Sequence, residues 1–154
     1  AEVEAITRGM EIPFENSSGE NPFAIHYALQ DAMQDLVGIV RTEKEMEQAV
    51  VKIGELRERH RNVGVMGHRE YNPGWHTAID LNCMLTVSEA IARSALERRE
   101  SRGAHFRDDY PEKSTECGSF NLIARKADDG SMEVRRRPVV AMRQELKDII
   151  ERMK

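Results

Sequence analysis

The dipeptide Asn-Pro occurs twice, at Asn21-Pro22 and Asn72-Pro73, and each time a run of apolar residues spaced by three and four follows. That pairing leaves the chain few choices. An asparagine side chain accepts a hydrogen bond from an orphan N–H of a starting helix, and a proline at the first helical position gives up an N–H that has no partner there. After the first signal, Phe23, Tyr27, Leu29, Met33, Leu36, Val37 and Val40 make one stripe, so a helix is predicted from residue 21 to about 40. Gly38 within it suits a close contact between helices. Thr42-Glu43-Lys44-Glu45 has the form of a capping box, so a second helix starts almost where the first stops. So short a connection folds the two back as an antiparallel hairpin.

The second helix buries Met46, Ala49, Val50, Ile53 and Leu56, and residues 62 to 72, with Gly64 and Gly67, break the pattern as a loop. After Asn72-Pro73, a third helix is predicted to about Arg99. Its apolar positions cover more than one stripe, from Trp75, Ile79 and Leu81 to Val87, Ile91 and Leu96. A helix so apolar around its girth belongs at the centre. Gly103 is positioned to end it in a left-handed conformation. Beyond Pro111, Asp128-Asp129-Gly130 reads as the turn of a β-hairpin, and Met142, Leu146, Ile149, Ile150 and Met153 as one face of a terminal amphipathic helix. The expected fold is therefore mainly α: an antiparallel, spectrin-repeat-like three-helix bundle, then a small β-hairpin and a C-terminal helix. Residues 1–20 read as an extended leader, 21–103 as the bundle, and 104–154 as the C-terminal loop, hairpin and helix.

Several functions find no support in the residues. With 23 basic and 27 acidic side chains and a net charge of −4, the chain lacks the positive surface that neutralises phosphates, so no nucleic-acid partner is expected. No stretch reaches the apolar length of a membrane span. Cys83 and Cys117 read as buried or idle thiols, and the five histidines follow no metal-binding spacing, so no metal site is expected. There is no Gly-x-Gly-x-x-Gly turn, no phosphate loop and no nucleophile elbow. Hence no catalytic residue is assigned within these 154 residues.

The densest polar segment follows the third helix. From Arg98 to Asp109 it carries four arginines, one histidine and three acids. Planar guanidinium groups make two-pronged bonds to carboxylates, which suits a docking surface. The candidate docking residues are Glu100, Arg102, His105, Arg107 and Asp109.

The same segment resembles the R-x-E-S-R-G-A-H-x-R-x-D-(Y/F)-P signature of the succinate dehydrogenase and fumarate reductase flavoprotein subunits. It is matched by Arg98, Glu100, Ser101, Arg102, Gly103, Ala104, His105, Arg107, Asp109, Tyr110 and Pro111. The likeness extends upstream through Val37-Gly38-Ile39-Val40-Arg41-Thr42-Glu43 to Asn21-Pro22. It implies the helical and C-terminal regions of such a subunit, in which FAD and substrate are held by FAD-binding and capping domains upstream and electrons pass to an iron–sulfur subunit. The parent would interconvert succinate and fumarate, peripheral to the cytoplasmic side of a membrane through its partner subunits. This piece alone is expected to bind no FAD and to turn nothing over, and its uncovered apolar faces to favour self-association.

Ala1-Glu2-Val3-Glu4, with neither an initiator Met nor a signal-peptide profile, fits a chain that starts in mid-protein. After Pro111 the residues Glu112 to Gly118 depart from the family's usual paired-aspartate segment. That departure leaves the same region of L-aspartate oxidase or of another superfamily member as alternatives. A free-standing helical interaction module is a further one.

Overall fold

The computed structural model describes residues 2–153. Among these the fold is mainly helical, with helices α1 (Glu2–Glu15), α2 (Pro22–Leu36), α3 (Glu43–His60), α4 (Pro73–Glu97) and α5 (Gln144–Arg152). Two short sheets accompany them. Strands β1 (Val40–Arg41) and β2 (Phe106–Arg107) pair in parallel, while β3 (Phe120–Lys126) and β4 (Met132–Pro138) form an antiparallel hairpin.

The cap signals work as chemistry demands. The Asn21 side chain accepts from the Phe23 N–H at 2.9 Å, and Asn72 from the Trp75 N–H at 3.0 Å. Asn72 also donates to the carbonyls of Met66 and His68, which ties the loop before α4 to its first turn. Thr42 accepts from the Glu45 N–H and donates its hydroxyl to the Glu45 carboxylate.

Helices α2, α3 and α4 touch one another in all three pairings, and their inward stripes merge into one core. Ile25 and Leu29 meet Ala49, Ile53 and Leu56 there, with Ala78, Leu81, Leu85 and Ala92 of α4 completing it. α4 also touches α1 and both strands of the hairpin. The loop before it contributes buried Val63 and Val65. Gly64 is obligatory in that loop, because a Cβ there would lie 1.8 Å from the Asn16 carbonyl oxygen. Phe120 seals the hairpin base, with the guanidinium groups of Arg98 and Arg136 over its ring.

Several expectations change. Residues 2–15 are helical where an extended leader is expected: Phe14 packs on Trp75, whose indole N–H donates to the Met10 carbonyl, and these contacts outweigh the turn-forming composition. The helix starting at Asn21 stops at Leu36, short of Val40, because the Arg41 side chain takes the carbonyls of Val37 and Gly38. Gly38 lies in the resulting turn, where a Cβ would meet the Gln34 carbonyl of its own α2 and no other helix. α4 ends at Glu97, and Gly103 takes its positive φ of 61° inside the following turn. Cys83 is exposed on α4, while Cys117 is buried.

Candidate functional site

Beyond α4 the chain folds into a tight corner whose polar groups satisfy one another. Arg102 and His105 exchange backbone hydrogen bonds at 2.8 and 3.1 Å, a turn that the left-handed Gly103 permits. Ser101 accepts from the Arg107 N–H at 2.9 Å and donates to the Tyr110 carbonyl at 2.9 Å, holding the two limbs together.

Two sets of ion pairs, each centred on one fully buried partner, anchor this frame. The Arg107 guanidinium, with no exposed surface, grips both oxygens of Asp109 at 2.7 Å. Its third nitrogen donates to the Ala95 and Leu96 carbonyls, which are orphaned at the end of α4. Asp109 reaches onward to accept the Glu43 N–H at the start of α3, so one acid–base pair joins the end of one helix to the beginning of another. Glu100, also without exposed surface, accepts from Arg98, from two nitrogens of Arg102 and from the Ser114 N–H. Arg98 continues to the Cys117 and Phe120 carbonyls and so fastens the hairpin.

These contacts set the charge states. Hydrogen bonds from Arg102, opposed by burial and aided by Ser114 and Arg98, hold the Glu100 carboxyl down to about 2. The Arg107 guanidinium does the same for Asp109, again down to about 2. His105 moves below its ordinary value, chiefly because it is buried, and the nearby charges of Arg41, Arg107 and Arg98 add to the effect. An arginine has only donors, so Arg41 Nη1, 2.9 Å from His105 Nδ1, fixes the tautomer: Nδ1 accepts and Nε2–H donates to the Arg98 carbonyl at 3.0 Å. The imidazole therefore sits neutral among three cations.

All five expected docking residues thus gather in one corner, but they divide. Glu100 and Arg107 are fully buried inside this chain's own fold and cannot touch a neighbour. Their burial follows from the helix carbonyls and backbone N–H groups they satisfy, which sequence spacing does not display. Arg102 keeps 43% of its side chain in solvent, Asp109 keeps 28%, and His105 is half-buried. Arg41 is the member that the reading from sequence passed over. Its signal was its place in the stretch Val37 to Glu43 that carries the family likeness, a basic residue three places after Gly38 in the break between two helices.

No group of three His, Cys, Asp or Glu residues among the described residues could hold a metal. No strand among them leads through a glycine-rich turn into a helix. In a cleft of about 730 Å³ between α3, α4 and the hairpin tip, Arg57 and Arg93 are tied to Glu89 and Arg125 to Glu133.

Fold and corner together define a class: a helical domain whose strongest polar chemistry is spent on holding its own shape. Mycobacterium smegmatis Sdh1, in a structure with UQ1, has the same fold, with a TM-score of 0.90 and 42% identity over 97% of this chain and 26% of that one. Adenylylsulfate reductase from Archaeoglobus fulgidus shares the fold at a TM-score of 0.78 and 20% identity, over 90% of this chain and 24% of that chain. A curated relative, the fumarate reductase flavoprotein subunit of Mycobacterium tuberculosis, is 32% identical over 144 residues, 93% of this chain and 25% of its own length. The family model described as "Fumarate reductase flavoprotein C-term" matches residues 26–149. The chain belongs to that family, and it spans about a quarter of the length of these relatives.

Proposed function

We propose that this chain is the C-terminal quarter of an FAD-dependent subunit that interconverts succinate and fumarate and passes electrons to an iron–sulfur subunit. Within that subunit it is a scaffold: residues 21–103 are the helical body, an antiparallel three-helix bundle of spectrin-repeat type, and residues 104–154 extend it. FAD and substrate are held upstream, by FAD-binding and capping domains that rest on this piece. The docking corner is presented by Arg102, His105 and Asp109, with Glu100 and Arg107 fixing its shape from within. No helix of the described residues is long and apolar enough to cross a membrane. Attachment on the cytoplasmic side, through partner subunits, is part of the same proposal.

The observation that carries this reading is the likeness to Sdh1, which covers almost all of this chain and only a quarter of that protein. The test is to read the natural open reading frame and purify its full product with its partner subunits. The expected result is bound flavin and succinate-dependent dye reduction by the full product, with neither from the 154-residue chain alone. A reading frame confined to these residues would overturn the proposal. So would a full product that oxidises aspartate and leaves succinate untouched.

A further inference from the structure

Strands β3 and β4 make a sheet of two, and no third strand flanks either of them among the described residues. Backbone bonds at the two ends of the ladder, from the Ala127 N–H to the Ser131 carbonyl and from the Val139 N–H to the Ser119 carbonyl, set its phase. The odd-numbered residues of β4 therefore bond inward to β3, and the N–H and C=O groups of Met132, Val134 and Arg136 point out along the free edge. Such an edge is a template for a further strand.

Side chains alternate between the two faces. Phe120, Leu122, Val134 and Arg136 share the face toward α4, where Phe120 is buried and Arg136 binds Glu97 and Glu116. The opposite face carries Ile123 with Arg125, Arg135 and Arg137, and one acid, Glu133. Glu133 accepts from one nitrogen each of Arg125 and Arg135, and Arg137 has no partner among the described residues. Asp128 and Asp129 lie in the turn, at the far end from Arg137, and Asp129 is bonded to Ser131. Three guanidinium groups thus share one carboxylate, and two of them stand at alternate positions of the strand with the free edge.

A second copy fits this edge poorly. In the antiparallel register centred on Val134, Glu133 would meet Arg135, but Arg137 would meet Ser131 and stay unanswered. The neighbouring registers set Glu133 against Glu133 or Arg135 against Arg135. The chain itself enters the fold at the other end of α4, where Phe14 packs on Trp75, about 33 Å along the helix from Glu97 at ~1.5 Å per residue.

We propose that the free edge of β4 receives an extended segment of another polypeptide, one with aspartate or glutamate at alternate positions. Added as a further strand, the segment bonds to the outward N–H and C=O groups of Met132, Val134 and Arg136, and its carboxylates fall beside Arg135 and Arg137. Pro138, which has no N–H, ends the edge. The proposal does not depend on the chemistry of the parent subunit.

The test uses the full-length product of the natural reading frame and a short synthetic peptide in which glutamate alternates with threonine. One control peptide holds the same residues in two blocks, and another replaces glutamate by lysine. Binding is read by fluorescence anisotropy and by hydrogen exchange at the Val134 and Arg136 amides. The alternating peptide should bind and slow exchange at both amides about tenfold or more. Arg135→Gln with Arg137→Gln, both exposed positions, should weaken that binding roughly fivefold or more. No binding, equal binding of either control, or unchanged exchange at the two amides overturns the assignment. So does exchange already slow without peptide, which would mean that the upstream part covers the edge. Slowing that appears only as the protein is concentrated overturns it in favour of a second copy, and binding to phosphatidylserine vesicles in preference to the peptide overturns it in favour of lipid.

Discussion

Glu100 is the residue on which the corner turns, a carboxylate without exposed surface that gathers two guanidinium groups and a backbone N–H. Glu100→Gln keeps the shape but turns an amide N–H toward donors and leaves Arg98 and Arg102 without their counter-charge. Stability should fall by about 2 to 3 kcal/mol, read from urea denaturation. The same residues predict a pH profile. Glu100 and Asp109 titrate lower in the folded chain than when unfolded, so their stabilisation is complete above the ordinary carboxylate range and is lost as pH falls toward about 2. His105 is a base whose folded value is depressed, so the unfolded chain takes its proton first. Stability should therefore begin to drop as pH passes below about 6.5, when protonation removes the acceptor that Arg41 uses. His105→Gln should abolish that early step and leave the later, carboxylate one, in melts recorded from pH 8 to 3. Arg41 aside, the identity of the corner's charged residues was legible in the sequence, but their division into buried and exposed was not. Arg107 is buried because α4 ends two residues earlier than the periodic pattern implies, which brings the Ala95 and Leu96 carbonyls within its reach.

Among the elements, α3 shows how local chemistry and distant contacts share one task. Its first turn is capped by Thr42, a neighbour in sequence, and by Asp109, which is remote. Thr42→Ala should cost about 1 kcal/mol by thermal unfolding, as for other lost caps, while Asp109 continues to satisfy the Glu43 N–H. A cost near zero would mean that the remote cap suffices alone. The starts of α2, α3 and α4 were readable to the residue, because an N-cap is a bond between neighbours in sequence. Their ends were not. α2 stops where the Arg41 side chain reaches the carbonyls of Val37 and Gly38, an arrangement held in turn by His105, 64 residues away. α1 escaped notice for a related reason, since its hold on the body is Phe14 against Trp75 and the indole bond to Met10.

Among the described residues the main core is built from α2 with Val37 just after it, α3, α4 and the loop before α4, and both ends leave apolar surface open. α5 buries nothing, and Leu146, Ile149, Ile150 and Met153 are all exposed along one side of it. Such a stripe on an isolated chain favours association. Leu146→Ser with Ile150→Ser should leave stability within about 0.5 kcal/mol while shifting the chain toward monomer in sedimentation at rising concentration. Unchanged association would place the sticky surface elsewhere. By itself the sequence determined the helical character of the chain, where its central helices begin, the hairpin turn, the family and, Arg41 aside, the docking residues that meet in the corner. All of these depend on neighbours within a few positions or on an ordered motif. Only the tertiary structure decided which arginine is buried, which acid caps which helix, and which face of the β3–β4 hairpin turns away from α4. Each of those outcomes depends on carbonyls and N–H groups that come within bonding distance only after α2, α3 and α4 have packed.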